Sequence, residues 1–176
     1  YAEAGKGSWN LDLGNVDPLL TLLQPGADTA TIDLPRFDIE QDVHEGGGAM
    51  RRGVPVRTIN GQLVTTVYDL MLASYGVARD GLPGTWPESY DDASQPHTPA
   101  WQEGITSVPA ATVIRVAREF AFNAEQSGGR SMIALGAGTN HWFHSDETYR
   151  AIVALVMMTG CQGVNGGGWA HYVGQE

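Results

Sequence analysis

The residues best suited to chemistry lie in GAGTNHWFHS (136–145), which directly follows the short apolar run Ser131–Leu135. In an open α/β sheet, ligands bind outside the carboxyl ends of the strands. Gly136 and Gly138 would let a backbone approach a pyrophosphate, and the helix that follows would offer free N–H groups. That chemistry is nucleotide or dinucleotide binding. The spacing is only GxG, not GxGxxG, and no acidic residue follows about twenty positions on. A tight strand-to-helix turn is therefore an equally good reading of the same residues.

His141 and His144 are three apart in that loop, and His171 lies further on. No HExxH occurs, and no further ligand stands at a metal-site spacing. Hydrogen bonding to an anionic, polar cofactor accounts for the histidines more simply. One surface and one packed histidine is the alternative. The segment GVNGGGWAHYVGQ (163–175) has five glycines in thirteen residues. It could wrap a flat ligand, with Trp169 and Tyr172 as walls and His171 and Gln175 as polar contacts. Composition alone favours a mobile tail. Cys161 follows a helix end, where the dipole disfavours a thiolate, so it reads as a packed thiol. Asp91-Asp92 reads as a solvated loop, and no GxSxG nucleophile elbow is present.

The elements that must position these residues follow from periodicity and punctuation. Ser107-Val108-Pro109 predicts a helix start with a hydroxyl cap. Val113, Ile114, Val116, Ala117, Phe120, Ala121 and Ala124 then recur at helical spacing up to Gly128-Gly129. Ser131–Leu135 reads as a buried, parallel strand. Ser145 is the expected cap of a second helix, with Asp146 and Glu147 at its positive end, ending at Gly160. Helix, strand, glycine loop and helix make a Rossmann-like α/β unit over 98–176. Residues 1–97 are loop-rich. There, Leu19–Leu23 suggests a helical turn after Asp17-Pro18, and Glu45–Ala49 a glycine loop. Val54–Thr58 and Leu63–Thr66 suggest strands flanking an Asn60-Gly61 turn. Val67–Ser74 reads as a helix with Val67, Leu70, Met71 and Tyr75 on one face. Residues 80–99, with four prolines, form a long irregular connection pinned by Trp86 and Trp101.

Composition narrows the function. The 176 residues are 42% hydrophobic and 17% charged, with a net charge of −10. That is globular, and the acidic balance argues against nucleic acid as a partner. The longest apolar run, Ala151–Met158, has eight residues, short of the ~20 a membrane span needs. One cysteine cannot hold an iron–sulfur cluster. The start at Tyr1, in a glycine-rich stretch without an initiator Met, leads us to expect an internal fragment of a multidomain subunit.

Several segments carry more than spacing. TPAWQEGITSVPAATVIRVAREFA (98–121), GRSMIALGAGTNHWFHSDETYRAIVALVMMTGCQG (129–163) and GGGWAHYVGQE (166–176) resemble the catalytic alpha subunits of membrane-bound respiratory nitrate reductases. These form a branch of the dimethyl sulfoxide reductase family of molybdenum enzymes. GKGSWNLD (5–12), RRGVPVR (51–57) and LVTTVYDLMLASYG (63–76) agree; 24–50 and 80–95 match least. The resemblance implies a molybdenum ion held by two molybdopterin guanine dinucleotides. It implies cofactor contacts from Gly136, Ala137, Gly138, Asn140, His141 and His144, and from Gly166, Gly167, Gly168, Trp169, His171 and Gln175. Arg130 and Arg150 are the nearest cations that could offset the cofactor's charge. The molybdenum-ligating aspartate and the iron–sulfur cluster of that branch belong to earlier parts of the chain, so no catalytic residue or metal ligand is assigned here. The implied activity is reduction of nitrate to nitrite by oxygen-atom transfer, with the isolated fragment inactive. The implied partners are the rest of the alpha subunit, an iron–sulfur beta subunit and a membrane gamma subunit. The implied location is the cytoplasmic face of the membrane. The alternative is a freestanding nucleotide-binding or interaction module.

Overall fold

A computed structural model describes residues 16, 19–36 and 49–171. The chain divides into two compact units, Tyr1–Ala110 and Ala111–Glu176. The architecture is mixed α/β with two small sheets. The glycine loop expected at Glu45–Ala49 and the Asp17-Pro18 helix start lie, apart from Ala49, outside the described residues.

In the first unit, β1 (Asp28–Leu34), β2 (Met50–Ile59) and β3 (Gln62–Val64) form an antiparallel sheet in the order β1-β2-β3. Asn60 and Gly61, at φ +50° and +77°, join β2 to β3. Both central residues of such a two-residue turn need positive φ, and asparagine and glycine tolerate it. The expected strand at Leu63–Thr66 ends sooner, at Val64, because Thr66 becomes the N-cap of α1 (Val67–Ser74) and accepts from Asp69 N. β1 has no counterpart among the sequence expectations. Its alternation sends Ala30, Ile32 and Leu34 onto Val54, Val56 and Ala73, the period-two pattern of a half-buried strand.

Two expectations fail here for one reason. The face of α1 turned inward carries Asp69, Leu72 and Ala73, while Val67 is 81% exposed. Leu19–Leu23 forms no helix. The buried Asp69 carboxylate accepts hydrogen bonds from Thr21 Oγ1 (2.6 Å), Leu22 N (2.9 Å), Thr66 Oγ1 (2.8 Å) and Arg79 Nη1 (2.6 Å). A buried carboxylate must be satisfied, so it orients α1 and holds residues 21–22 in a non-helical path. An apolar stripe competes poorly with that demand.

Burial alone would push the Asp69 carboxyl up, but the bonds from Thr21, Leu22, Arg79 and Thr66 outweigh it and hold it below the usual range. Its folded pKa is thus depressed relative to ~3.9 unfolded. The stability it contributes is present above the unfolded value and is lost as pH falls through the folded one. We expect Asp69→Asn to destabilise the first unit at neutral pH and to flatten its acid unfolding curve. Tryptophan fluorescence titrated from about pH 6 to pH 2 checks this; a mutant curve parallel to wild type would contradict it.

Arg52, fully buried, ties the rest of the unit together. Its guanidinium donates to Ala73 O (2.7 Å), Ser74 O (3.0 Å), Thr85 O (3.1 Å) and Gln95 Oε1 (3.4 Å), and lies 5.5 Å from the centroid of the Trp86 ring. The 80–99 connection is therefore irregular but anchored. It leads into α2 (Pro99–Thr106), which Thr98 caps through Trp101 N. The expected hydroxyl cap Ser107 instead closes α2 in the left-handed region, at φ +60°. The next helix, α3 (Ala110–Ser127), begins three residues later, and its Ala110 N donates to Glu103 Oε2 at 2.8 Å.

In the second unit the body of α3 is followed by β4 (Met132–Leu135), a 3-10 turn (Ala137–His141), α4 (Ser145–Met158) and β5 (Gly168–His171). β4 and β5 are parallel, with Met132 opposite Gly168 and Leu135 opposite His171. Ala124, Val156 and Cys161 form the core, with Phe120 and Ile133 against it. β4 is parallel as expected but not fully buried, with Met132 49% exposed. A two-stranded sheet packs one face, so alternate residues point outward. Ser145 is the first residue of α4 rather than its cap; His144 takes the cap position at φ +60° and makes no side-chain cap bond. Cys161 is buried, its Sγ 3.2 Å from Thr159 Oγ1.

Candidate functional site

The parallel register brings the loop after β4 and the last residue of β5 to the same end of the second unit, because Leu135 stands opposite His171. A chain of polar contacts closes that end. Thr139 Oγ1 donates to Gly136 O at 2.9 Å and contacts Tyr149 OH at 3.1 Å. Tyr149 OH lies 2.9 Å from His171 Nε2. The rings of Tyr149, Trp169 and His171 stand 5.2–5.3 Å apart, centroid to centroid, tilted or edge to face. Trp169 is half-buried, and its Nε1–H is buried with no hydrogen-bond partner among the described residues. Such orphans are uncommon in folded proteins and call for a partner.

Gly136 and Gly138 are unlike most glycines of this unit. A Cβ built on either meets nothing within 4 Å, and neither has a positive φ. Among the described residues no neighbour and no positive φ demands glycine at these positions, and the bare backbone is open to close approach. Asn140, His141 and His144 are exposed around them, and Ala137 is half-buried. Phe143 lies against the His144 ring, at a centroid distance of 4.2 Å, yet is 90% exposed, with Trp142 77% exposed beside it.

Gly166, Gly167 and Gly168 lie elsewhere. They precede or open β5, at the end of the sheet where Gly168 stands opposite Met132. At ~3.3 Å per residue, that is about 10 Å along the strand from His171. Gly168 N donates to Ser131 O at 2.9 Å. A Cβ on Gly167 would collide with the Gly129 carbonyl oxygen and sit 3.0 Å from Cys161 O. These glycines allow backbones to pack. Among the described residues the two glycine-rich segments therefore approach each other at Trp169 and His171, not at Gly166–Gly168. Arg130 lies beside Gly166 at that far end, and Arg150 is exposed on α4. Tyr172 and Gln175 lie outside the described residues. Among the described residues no three His, Cys, Asp or Glu side chains gather as a metal site.

The electrostatics of this end are those of a hydrogen-bonding site. The positive end of the α4 dipole already faces Asp146 and Glu147 in its own first turn. A phosphate there would meet two carboxylates. Thr139 and Tyr149 were not singled out from the sequence. The available signal was geometric: Tyr149 sits one turn into α4, and helical side chains lean back toward the N-terminus, here toward the loop.

The family model described as molybdopterin oxidoreductase matches residues 16–174. The nitrate reductase alpha subunit of Mycobacterium tuberculosis (strain ATCC 25618 / H37Rv) is 56% identical over 181 residues, covering 100% of this chain and 14% of the relative. The nitrate reductase alpha chain of Bacillus subtilis (strain 168) is 45% identical over 98% of this chain and 14% of its own length. The respiratory nitrate reductase 1 alpha chain of Escherichia coli (strain K12) is 43% identical over 97% of this chain and 15% of its own. This chain thus spans about one seventh of each of these relatives. With the match running through both units and across the loop, the strand pair and the histidines described above, the chain belongs to the molybdopterin oxidoreductase family.

Proposed function

We propose that the chain is a segment of the catalytic subunit of a molybdenum-dependent nitrate reductase, and that the carboxyl end of β4 and β5 holds part of its molybdopterin, in the guanine dinucleotide form. The observation that carries this reading is the pair Gly136 and Gly138, where a Cβ meets nothing within 4 Å, in the loop after the strand that pairs with that of Trp169, whose buried indole N–H has no partner among the described residues. A flat heterocycle needs bare backbone and a few convergent polar groups, and this end of the unit has both. Gly136, Ala137 and Gly138 would lie against the pterin. Asn140, His141 and His171 would hydrogen-bond it, with His144 at the edge. The Trp169 Nε1–H is a further donor. Gly166, Gly167 and Gly168 would shape the turn that delivers Trp169 and His171.

When bound, the cofactor supplies the molybdenum centre at which an oxygen atom leaves nitrate. This chain's residues orient and partly desolvate the organic part; the metal ligand and the iron–sulfur cluster belong to other parts of the subunit. On this reading β4-α4-β5 is part of a Rossmann-like domain, with 98–176 as the cofactor segment and 1–97 as the loop-rich region before it. The partners are the rest of the alpha subunit, an iron–sulfur beta subunit and a membrane gamma subunit. Attachment to the cytoplasmic face of the membrane would come through those subunits. No helix among the described residues is long and apolar enough to cross a membrane.

The test is to introduce Gly136→Val and Gly138→Val into the full-length subunit and to assay molybdenum by mass spectrometry and pterin by fluorescence after release. A Cβ at either site meets nothing within 4 Å, so the fold should survive and both contents should fall at least about tenfold, a shift of ~1.4 kcal/mol or more in binding. Wild-type contents in a folded variant would reject the assignment.

A further inference from the structure

We propose that Tyr149 is a positioning residue, which holds His171 as its Nε2–H tautomer so that Nδ1 is left as a hydrogen-bond acceptor for an N–H group of the pterin. The inference rests on the cofactor reading above, but its evidence is a count of hydrogens. Thr139 has one hydroxyl hydrogen, and it is committed to Gly136 O, which can only accept. The 3.1 Å contact between Thr139 Oγ1 and Tyr149 OH therefore needs the hydrogen of the phenol. With that hydrogen used, the Tyr149 oxygen can only accept across its 2.9 Å contact with His171. Nε2 must then carry the proton, and in a neutral ring Nδ1 keeps its lone pair. The reverse arrangement, with the phenol donating to Nε2, leaves two hydrogens for three contacts, so either Thr139–Gly136 or Thr139–Tyr149 goes without one. An acceptor nitrogen repels phosphate oxygens and attracts N–H donors, which a reduced pterin ring carries. The ring contacts with Tyr149 and Trp169 fix the imidazole plane in which that nitrogen lies.

Tyr149→Phe removes the hydroxyl and keeps the ring packing, so the variant should fold. In the full-length holoenzyme it should retain molybdenum and pterin within about twofold, since the loop glycines and Trp169 are untouched. It should shift the midpoint potential of the molybdenum couple, because the pterin's hydrogen bonding changes with the histidine tautomer. Glu119→Gln, on the exposed face of α3 and paired with Arg115, is the control that should shift nothing. Neutron diffraction of the wild-type protein should place the exchangeable hydrogen on Nε2 and none on Nδ1. A hydrogen on Nδ1, an unchanged potential in Tyr149→Phe, or loss of the cofactor from that variant would each overturn the proposal. A wild-type full-length protein that binds no pterin would instead reject the cofactor reading, while the neutron result would still decide the tautomer.

Discussion

Arg52→Ala is expected to cost the first unit about 3–5 kcal/mol, the largest effect of any single side chain there. Arg52 is fully buried and donates to three backbone carbonyls, those of Ala73, Ser74 and Thr85. Ala73 and Ser74 end α1, where carbonyls lack helical partners. Ala73 O also accepts from Gly76 N at 3.2 Å, but truncation removes the Arg52 donors from all three carbonyls and opens a cavity under Trp86. The cation also neutralises the negative end of the α1 dipole, with no carboxylate paired to it among the described residues. Lysine should recover less than half of the loss, because a single ammonium cannot reproduce the planar fork that reaches carbonyls on two segments. Hydrogen exchange resolved to residues 50–59 and 67–74 checks this. Wild-type protection of both segments in Arg52→Ala would contradict the keystone role.

Gly167→Ala is expected to destabilise the second unit by about 2–4 kcal/mol, whereas Gly136→Ala leaves its fold nearly unchanged. The methyl at 167 has no flexible neighbour to displace. It meets the carbonyl oxygens of Gly129 and Cys161, and Gly129 itself ends α3 at φ +94°. Relief requires moving the end of α3 or the turn before β5, and either disturbs the pairing of β5 with β4. At position 136 the same methyl enters open space. Thermal unfolding of the two variants should therefore diverge, by roughly 4–8 °C per kcal/mol if the unit melts as a small domain. Equal melting temperatures would undo the distinction between packing glycines and ligand-facing glycines on which the site depends.

Much of the local structure could be read without coordinates. Val67–Ser74 is a helix with the expected ends, and Asn60-Gly61 turns the chain as its residue types require. Gly128-Gly129 and Gly160 end the two long helices where expected. The α1 face was misread because it is set by Asp69, whose partners Thr21 and Leu22 are nearly fifty positions away. Periodicity sees apolar stripes, not a distant donor. The cap of α3 was misread because Ser107 can close one helix as readily as open another, and Glu103, from the helix before, caps the first N–H.

The sequence by itself determined the family, the helices with their glycine stops, and a loop of unusual composition after a short strand. These depend on residue types and short-range geometry. The tertiary structure alone decided that residues 168–171 form a strand beside β4, in the register that sets His171 against Tyr149 and Thr139 and sends Gly166–Gly168 to the other end. Backbone hydrogen bonds between strands separated by a helix fix that register, and no local pattern in either strand encodes the partner it will meet.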